Sequence, residues 1–273
     1  MSKSQLDWLG RYFWPRRHGT LLWQFARREV LGRYRGSLLG VGWSFVTPLL
    51  NLAVYTFVFV GVFKARWPGA EQGGGLEFGL QLFAGLMVFN LFAELATRAP
   101  RLVLDQPNLV KKVVFPLEIL PWVTVLAGFF HLLLSLLVLV AATAVVRGTV
   151  PSTAIALPLV LFPFLPFLLG VGWLFAALGV FLRDVSQMMG LAVSLTMFLS
   201  PVFYSTQALS DSLRQLMQLN PLTLIIESTR NILLQSVWPD WQALLFYLVL
   251  ASLFAALSAV FFELTRKGFA DVL

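Results

Sequence analysis

Arginine side chains are concentrated just before a long uncharged stretch of the chain. Nine consecutive residues contain four of them: Arg27, Arg28, Arg33 and Arg35. The 28 residues that follow, 36–63, carry no charge. Guanidinium groups bind phosphate oxygens strongly and are attracted to anionic lipid headgroups. The abrupt end of the charge therefore predicts that the chain enters a membrane directly after Arg35.

Two other places in the sequence put ionisable side chains among apolar ones. Glu227 and Arg230 are three residues apart, a spacing that brings two side chains together on one helix face. Pro221 suits the first turn of that helix. His131 is the only histidine, and the only side chain that could carry positive charge, within the charge-free part of the predicted spans. A neutral, hydrogen-bonded histidine is favoured there over a proton relay, because a relay needs several groups.

The familiar motifs of catalytic and nucleotide-binding sites do not occur in this sequence. There is no G-x-x-x-x-G-K-[ST], no G-x-S-x-G and no H-E-x-x-H. With two histidines and no cysteine, a zinc site is disfavoured. We therefore predict no catalytic residue, no metal ligand and no cofactor on this chain. The charge-free runs of the spans also lack, at membrane depth, the acidic groups that ion-coupled carriers need, so active transport would require energy from a partner.

The composition indicates a membrane protein. Of the 273 residues 58% are hydrophobic and only 12% are charged, and the mean hydropathy is +0.81. Soluble domains carry about 25% charged residues. Prolines at 151, 163 and 166 predict a turn and then a bent helix. The predicted fold is an all-α integral membrane domain over 36–262, with six spans at 36–63, 78–95, 119–146, 157–182, 185–209 and 241–262.

The distribution of basic residues predicts the orientation. Six spans place 15 of the 20 lysines and arginines on one side, which assigns both termini to the cytoplasm. The cytoplasmic parts are then residues 1–35 and the tail 263–273. Residues 1–35 are expected to include an interfacial helix, capped by Thr20, with an apolar stripe of Trp23, Ala26, Val30 and Tyr34. Because a membrane accounts for the positive charge, no nucleic-acid partner is predicted.

Two connecting segments are too apolar to be ordinary loops. The cytoplasmic loop 94–118 is rich in leucine and valine, which must rest on the membrane, the bundle or a partner. The outer segment 211–240 is too short and too polar to span, so a pair of short amphipathic or re-entrant helices is expected. Within the spans, Gly172 with Ala176, and the ladder Ala251, Ala255 and Ala259, predict close helix packing.

Aromatic side chains are frequent, and most are expected to face lipid or interfaces. Some could line a pathway in which flat rings give sugars a sliding surface. The candidates are Phe57, Phe89, Phe92, Phe198, Phe203 and Tyr204.

Seven segments in this order resemble one family: RYRGSLLGVGWSFVTPLL, VFKARWPG, NLVKKVVFPLEILP, LGVFLRDV, SPVFYS, NPLTLIIESTR and RKGFADVL. Together they cover the length of the chain and resemble the permease subunit of ABC-2-type polysaccharide exporters, which include O-antigen and teichoic acid transporters. The resemblance implies a type V exporter-like fold that forms a homodimer. It also implies a separate ABC ATPase in two copies, which would bind ATP and Mg²⁺.

The resemblance further implies roles for particular segments. The substrate would be a glycan on undecaprenyl diphosphate, exported across the bacterial inner membrane. The loop after the second span would carry the coupling helix, which points to Arg98, Arg101, Asp105, Asn108, Lys111 and Lys112. The outer segment would form gate helices, which points to Asn220, Pro221, Glu227 and Arg230. The arginines 27, 28, 33 and 35 would attract the lipid diphosphate, although binding of headgroups alone accounts for them as well.

Two other functions remain open from the sequence. A drug or lipid exporter of the same ABC-2 architecture would have the same number of spans. A membrane-embedded enzyme acting on polyprenol-linked glycans would need acidic residues clustered at the membrane face to hold a metal. The acidic residues on the predicted cytoplasmic side are scattered along the chain.

Overall fold

The computed structural model describes residues 10, 12–64, 67, 74–111 and 115–273. Within these ranges the chain is helical and contains no strand, as predicted. The α-helices are α1 Gly19–Arg33, α2 Trp43–Thr56, α3 Gly74–Arg98, α4 Pro107–Lys111, α5 Leu120–Arg147, α6 Leu157–Leu161, α7 Phe164–Phe181, α8 Val185–Leu199, α9 Asp211–Gln218, α10 Pro221–Arg230, α11 Trp241–Arg266 and α12 Phe269–Val272. Short 3₁₀ turns join several of them, at Arg16–His18, Gly40–Gly42, Ala99–Arg101, Leu117–Ile119, Ser152–Ala156 and Thr206–Ala208, while π-helical turns extend α2 at Phe57–Val62 and α10 at Asn231–Gln235.

Five helical segments of the described chain are long and apolar enough to cross a membrane. They are Gly40–Val62, Gly75–Arg101, Leu117–Arg147, Ser152–Phe181 and Trp241–Arg266. The expected fifth span, 185–209, is shorter than predicted, because α8 has 15 residues and ends at Leu199. At 1.5 Å per residue it is about 22 Å long, against about 30 Å for the hydrocarbon core of a bilayer. The predicted count of six spans is therefore approximate.

Proline explains two helix boundaries. Ser200 follows α8 in an extended conformation (φ −105°, ψ 150°), as expected for a residue before Pro201. Pro158 lies in the first turn of α6, and Pro163 separates α6 from α7. Pro166 is accommodated in the first turn of α7 without a break.

The helices pack around α3, most of whose side chains from Phe78 to Ala96 are buried. The pair α7 and α11 forms the most extensive helix contact. A Cβ atom on Gly170 would lie 3.1 Å from the Cα of Ala255, so the two backbones approach closely. Ala255 and Ala259 are fully buried. Small residues therefore pack this pair, as the alanine ladder predicts.

The two ends of the bundle are held by polar contacts. At the end that we call the terminal end, the Tyr12 hydroxyl donates to Glu263 at 2.7 Å and Arg266 pairs with Glu118 at 2.9 Å. Both described ends of the chain therefore lie together. At the opposite end, which we call the far end, Arg147 at the end of α5 pairs with Glu77 at the start of α3 at 3.1 Å.

Candidate functional site

The helix α1 is attached to the terminal end of α3 by two ion pairs. Glu29 pairs with Arg98, and Arg33 pairs with Glu94. Glu94 also lies 3.6 Å from Arg98, so it joins the two pairs into one network. Pairs of this kind on a partly exposed surface contribute about 0.2–1 kcal/mol each. The network fixes the position of α1 relative to the segment that follows α3.

The predicted apolar stripe of α1 divides between two environments. Ala26 is buried against the bundle, whereas the Trp23 side chain is 68% exposed. The expectation that Thr20 caps the helix is wrong, because α1 already begins at Gly19 after His18, without a side-chain cap. The exposed indole is suited to a membrane interface.

The four arginines do not form one cluster. Arg28 packs over the Phe25 ring at 4.9 Å and lines a cavity of about 380 Å³ together with Arg98 and Arg101. Arg33 is held by Glu94, while Arg27 and Arg35 are exposed on the surface. The structure thus groups Arg28 with two residues of the predicted coupling set rather than with its neighbours in sequence.

The segment after α3 is seated on the bundle through its apolar side chains. Val103 and Phe115 are buried, and a Cβ atom on Gly179 of α7 would lie 2.0 Å from the carbonyl oxygen of Pro100. The predicted coupling residues Arg101, Asp105, Asn108 and Lys111 are exposed, and Lys112 lies outside the described residues. Because the apolar side chains face inward, this segment presents a polar surface.

A row of aromatic rings lies between α8, α2 and α3. Phe203 stacks on Phe198 at 5.8 Å and on Phe59 at 5.5 Å, and Phe59 also stacks on Phe78 at 5.8 Å. We call Phe198, Phe203, Phe59 and Phe78 the aromatic row. Tyr204 is beside it, since its hydroxyl donates to the carbonyl oxygen of Phe198 at 3.2 Å.

Three predicted pathway aromatics have other surroundings. Phe57 is 69% exposed on the surface of α2 and is not among the ring pairs of the row. Phe89 and Phe92 are in the core, where Phe92 stacks on Phe167 at 6.1 Å. A pathway role for Phe89 and Phe92 stays a prediction that this packing does not favour, because α3 is the central helix and its neighbours enclose both side chains.

Two helices leave most of their side chains uncovered. In α2 only Ser44 and Pro48 are buried, and in α8 only Met189 and Val193. Both helices pack against α3. We call the uncovered surface of α2 and α8 the open face.

Arg230 is the centre of the far-end segment. Its guanidinium group is fully buried and donates to the carbonyl oxygens of Gln81 at 2.8 Å, Val202 at 2.6 Å, and Pro201. It also lies over the Trp67 ring at 4.6 Å. Gly85 makes room for it, since a Cβ atom there would lie 2.5 Å from Nη2. Arg230 therefore joins α3, the 200–204 turn and α10.

The predicted pair of Glu227 and Arg230 is present, with 3.4 Å between Nη1 and Oε1. Burial lowers the pKa of Arg230 to about 10, so the guanidinium group stays charged at neutral pH. Burial also raises the pKa of Glu227, and the nearby Arg230 partly opposes that shift. Because Arg230 is fully enclosed, its guanidinium group holds the far-end segment together and does not face solvent.

The start of α10 is fixed to the end of α8. Asn220 caps the helix through its Oδ1, which accepts from the amide of Leu222 at 2.9 Å, and Pro221 occupies the first turn. The Nδ2 group of Asn220 donates to the carbonyl oxygen of Leu199 at 3.0 Å. The segment after the short α8 therefore turns back against its end, as a re-entrant pair would.

His131 lies in a cavity of about 300 Å³ between α2, α3 and α5, which has both polar and apolar lining residues. Its Nδ1 is 3.4 Å from the Tyr34 hydroxyl, and Asn51, Asn90 and Ser135 line the same cavity. The contact with Tyr34 fits the interpretation of a histidine hydrogen-bonded within the bundle.

The sequence profile of the ABC-2 type transporter family matches residues 20–234, which is most of the chain. The chain belongs to the ABC-2 type transporter family. It is similar to the O-antigen export system permease protein RfbA of Myxococcus xanthus, with 30% identity over 255 residues that cover 92% of this chain and 94% of the relative. Two RfbA proteins of Klebsiella pneumoniae are 28% and 24% identical, over 78% and 93% of this chain and 79% and 95% of theirs. This ABC-2 subunit is thus a multi-pass membrane protein.

The sequence analysis missed several residues that organise this ABC-2 subunit. Phe59 is the middle of the aromatic row, and Gly85 accommodates Arg230. Glu94 links α1 to α3. A glycine in the middle of an apolar span is one available signal for a close approach. The roles of Phe59 and Glu94 depend on residues distant in sequence, and no local pattern predicts them.

Proposed function

We propose that this chain is the permease subunit of an ATP-driven exporter of lipid-linked polysaccharide. The substrate would be a glycan of the O-antigen type on undecaprenyl diphosphate, moved across the bacterial inner membrane. The observation that carries the proposal is membership in the ABC-2 family, together with similarity over nearly the whole chain to proteins named as O-antigen export permeases.

The open face supports a homodimer. The helices α2 and α8 bury few of their side chains within their own chain, so a second copy would supply a surface for them to pack against. Two copies that meet through α2 and α8 would enclose a passage. The aromatic row would border that passage. Aromatic rings expose flat apolar faces, on which the apolar faces of successive sugars can slide without a fixed register.

The terminal end is proposed to face the cytoplasm, in agreement with the distribution of lysine and arginine. There α1 would lie at the headgroup level, and the cavity lined by Arg28, Arg98 and Arg101 would attract the diphosphate. Arg98 is part of both the ion-pair network of α1 and this cavity. Movement of the coupling segment would therefore be transmitted to the place where the lipid head arrives.

Energy is proposed to come from two copies of a separate ABC ATPase, which bind ATP and Mg²⁺. The exposed polar side chains of Arg101, Asp105, Asn108 and Lys111 would dock on it. Closure of the ATPase pair would push this segment against α7 through the contact of Pro100 with Gly179. At the far end, the segment from Asn220 to Arg230 would form the gate.

The test is purification of the tagged chain in mild detergent, with identification of the proteins that accompany it. The triple variant Arg101→Ala, Asp105→Ala and Lys111→Ala changes exposed side chains that make no ion pair among the described residues. The double variant Arg183→Ala and Lys267→Ala is the matched control, because both residues are exposed elsewhere at the terminal end.

A soluble ATPase is expected with the wild type and the control, and it is expected to be lost with the triple variant. A chain that purifies without an ATPase in each of these forms contradicts the exporter proposal. Co-purification that survives the triple variant leaves the exporter standing but places the coupling surface elsewhere.

A further inference from the structure

A cavity of about 810 Å³ lies at the far end of the bundle, between α9, α10, α11 and the start of α7. Its volume falls within the range of small-molecule sites, about 300–1,000 Å³. It is separate from the arginine cavity at the terminal end and shares no lining residue with it. The predicted gate residues Asn220, Pro221 and Glu227 contribute to its wall.

One wall of this cavity is aromatic. Phe167 lies 6.5 Å from Tyr247 and 5.8 Å from Phe254, measured between ring centroids, and all three line the cavity. Phe246 completes this wall with a side chain that is 66% exposed. Flat apolar faces are thus available along the membrane-embedded half of the cavity.

Some of the polar side chains in the other wall are already used. Arg214 donates to the backbone carbonyl oxygens of Thr206, Gln207 and Leu209, at 3.2–3.4 Å. Asp240 caps α11 by accepting from the amide of Gln242 at 3.0 Å. These groups hold the wall together and have little capacity left for a ligand.

Other polar groups in the wall are left over. The hydroxyl groups of Thr223 and Tyr247 are buried and have no hydrogen-bond partner in the part of the chain that the structure describes. Thr223 itself is only 6% exposed. The side-chain amides of Gln218 and Asn231 also make no hydrogen bond with the described residues, and both line the cavity. Buried hydroxyl groups without partners are costly, so the wall offers hydrogen-bonding capacity that the described residues do not use.

The leftover groups share one chemical character. Hydroxyl and amide side chains both donate and accept hydrogen bonds, and they carry no charge. Next to them are aromatic faces and the carboxylate of Glu227. A phosphate group would meet Glu227 and Asp240 with only Arg214 to neutralise it. A ligand with many hydroxyl groups and an apolar ring face would hydrogen-bond with the uncharged polar groups and pack against the aromatic side chains.

We propose that this cavity is a sugar-binding subsite that holds one or two pyranose units at the far end of the bundle. The proposal rests on the proposed function, since the polysaccharide in transit would supply the sugar. The subsite would retain the emerging chain while the ATPase pair resets, so that the polymer does not slip back.

The test uses a photo-crosslinking amino acid in cells that export a metabolically labelled polysaccharide. The substitution Phe246→p-benzoylphenylalanine places the probe in the aromatic wall. The same substitution at Phe198 reports on the aromatic row, and at Leu257, which is 62% exposed on α11 and does not line the cavity, it reports on bulk lipid.

A glycan adduct at positions 246 and 198, but not at 257, is the expected result. An adduct at position 198 without one at 246 overturns the subsite and leaves the exporter standing. Phospholipid adducts alone at 246 identify the cavity as a lipid groove and also overturn the subsite. If no position yields a glycan adduct, the subsite and the polysaccharide pathway fail together.

The variants Thr223→Val and Tyr247→Phe remove the unpartnered hydroxyl groups and keep the shapes of the side chains. Each is expected to lower the yield of adduct at position 246 by about fivefold, the equivalent of one hydrogen bond. The yield at position 198 is expected to stay unchanged. Ser258→Ala is the matched control, because its hydroxyl donates within α11 to the carbonyl oxygen of Phe254 and does not face the cavity. Yields that do not respond to either variant contradict the proposal.

Discussion

Replacement of Arg230 by methionine is expected to release the turn at residues 200–204 from the bundle. Methionine fills much of the same space but cannot donate hydrogen bonds. The carbonyl oxygens of Gln81, Pro201 and Val202 would lose a charged donor in a buried site, and Glu227 would lose its ion-pair partner. The Trp67 ring would also lose its contact with the cation.

The magnitude follows from the burial of these groups. Removing one partner of a buried charged network costs about 3–5 kcal/mol, because the remaining groups stay buried and unpaired. The loss falls on a local opening of the turn, since Arg230 is its main connection to α3. A factor of ten corresponds to 1.4 kcal/mol, so the turn should open about 150- to 4,000-fold more often.

Amide hydrogen exchange measures this opening directly, with the purified complex in lipid nanodiscs. Residues 199–204 are expected to exchange about 150- to 4,000-fold faster in Arg230→Met than in the wild type. Arg214→Met is the matched control, because this arginine lies on the neighbouring α9 with its side chain 41% exposed, and its backbone hydrogen bonds reach residues 206–209 rather than 199–204. An exposed pair contributes about 0.2–1 kcal/mol, so the control should change exchange by no more than about fivefold.

Exchange in Arg230→Met that stays within fivefold of the wild type would refute the reasoning. It would mean that the buried guanidinium group does not hold the turn, and that apolar packing alone determines its stability. An equal acceleration in both variants would show a general loosening of the far end rather than loss of this network.

Three other perturbations have expected outcomes. Gly85→Ala puts a methyl group 2.5 Å from the Arg230 guanidinium group and should lower the thermal unfolding temperature. In the control Gly32→Ala the added Cβ meets nothing within 4 Å, so the unfolding temperature should stay equal or rise. Equal effects of the two variants would contradict the close approach of Arg230 to Gly85. Glu94→Gln removes the ion pair with Arg33 of α1 and the link to Arg98, and it should speed proteolysis within α1 while the bundle stays intact. Unchanged cleavage would show that packing and the remaining pair of Glu29 with Arg98 hold the helix. Burial raises the pKa of Glu227, so the folded form of the proposed gate binds a proton more tightly than the opened form. The stability of the folded form, measured by hydrogen exchange, should therefore fall as the pH rises above the ordinary value of 4.5. Glu227→Gln should remove this pH dependence, and a dependence that persists would assign it to another group.

The membrane architecture is predictable from sequence because it depends on local composition. Long uncharged stretches indicate spans without knowledge of tertiary contacts. The length of α8 is an exception. Its apolar sequence continues beyond Leu199, but Pro201 ends the helix, and the chain turns back against α10. The hydropathy of the segment does not distinguish a long span from a short span followed by a re-entrant turn.

The details of the candidate site depend on contacts between distant residues. The i, i+3 spacing predicts that Glu227 and Arg230 are neighbours, which the structure has. It does not predict that Arg230 also meets the carbonyl oxygen of Gln81, 149 residues away in sequence. In the same way, Phe89 and Phe198 have similar apolar neighbours in sequence, yet Phe89 is in the core and Phe198 is on the surface. Which face of a span is buried is decided by its packing partners.

The most direct test of polysaccharide export is deletion of this chain in its host, followed by separate measurement of surface and cytoplasmic glycan. The account predicts that surface polysaccharide disappears while the polymer accumulates in the cytoplasm on a polyprenyl diphosphate lipid. The intact chain should restore export, and a chain carrying Arg101→Ala, Asp105→Ala and Lys111→Ala should not. Normal surface polysaccharide without cytoplasmic accumulation would contradict the account and would assign this ABC-2 subunit a different substrate.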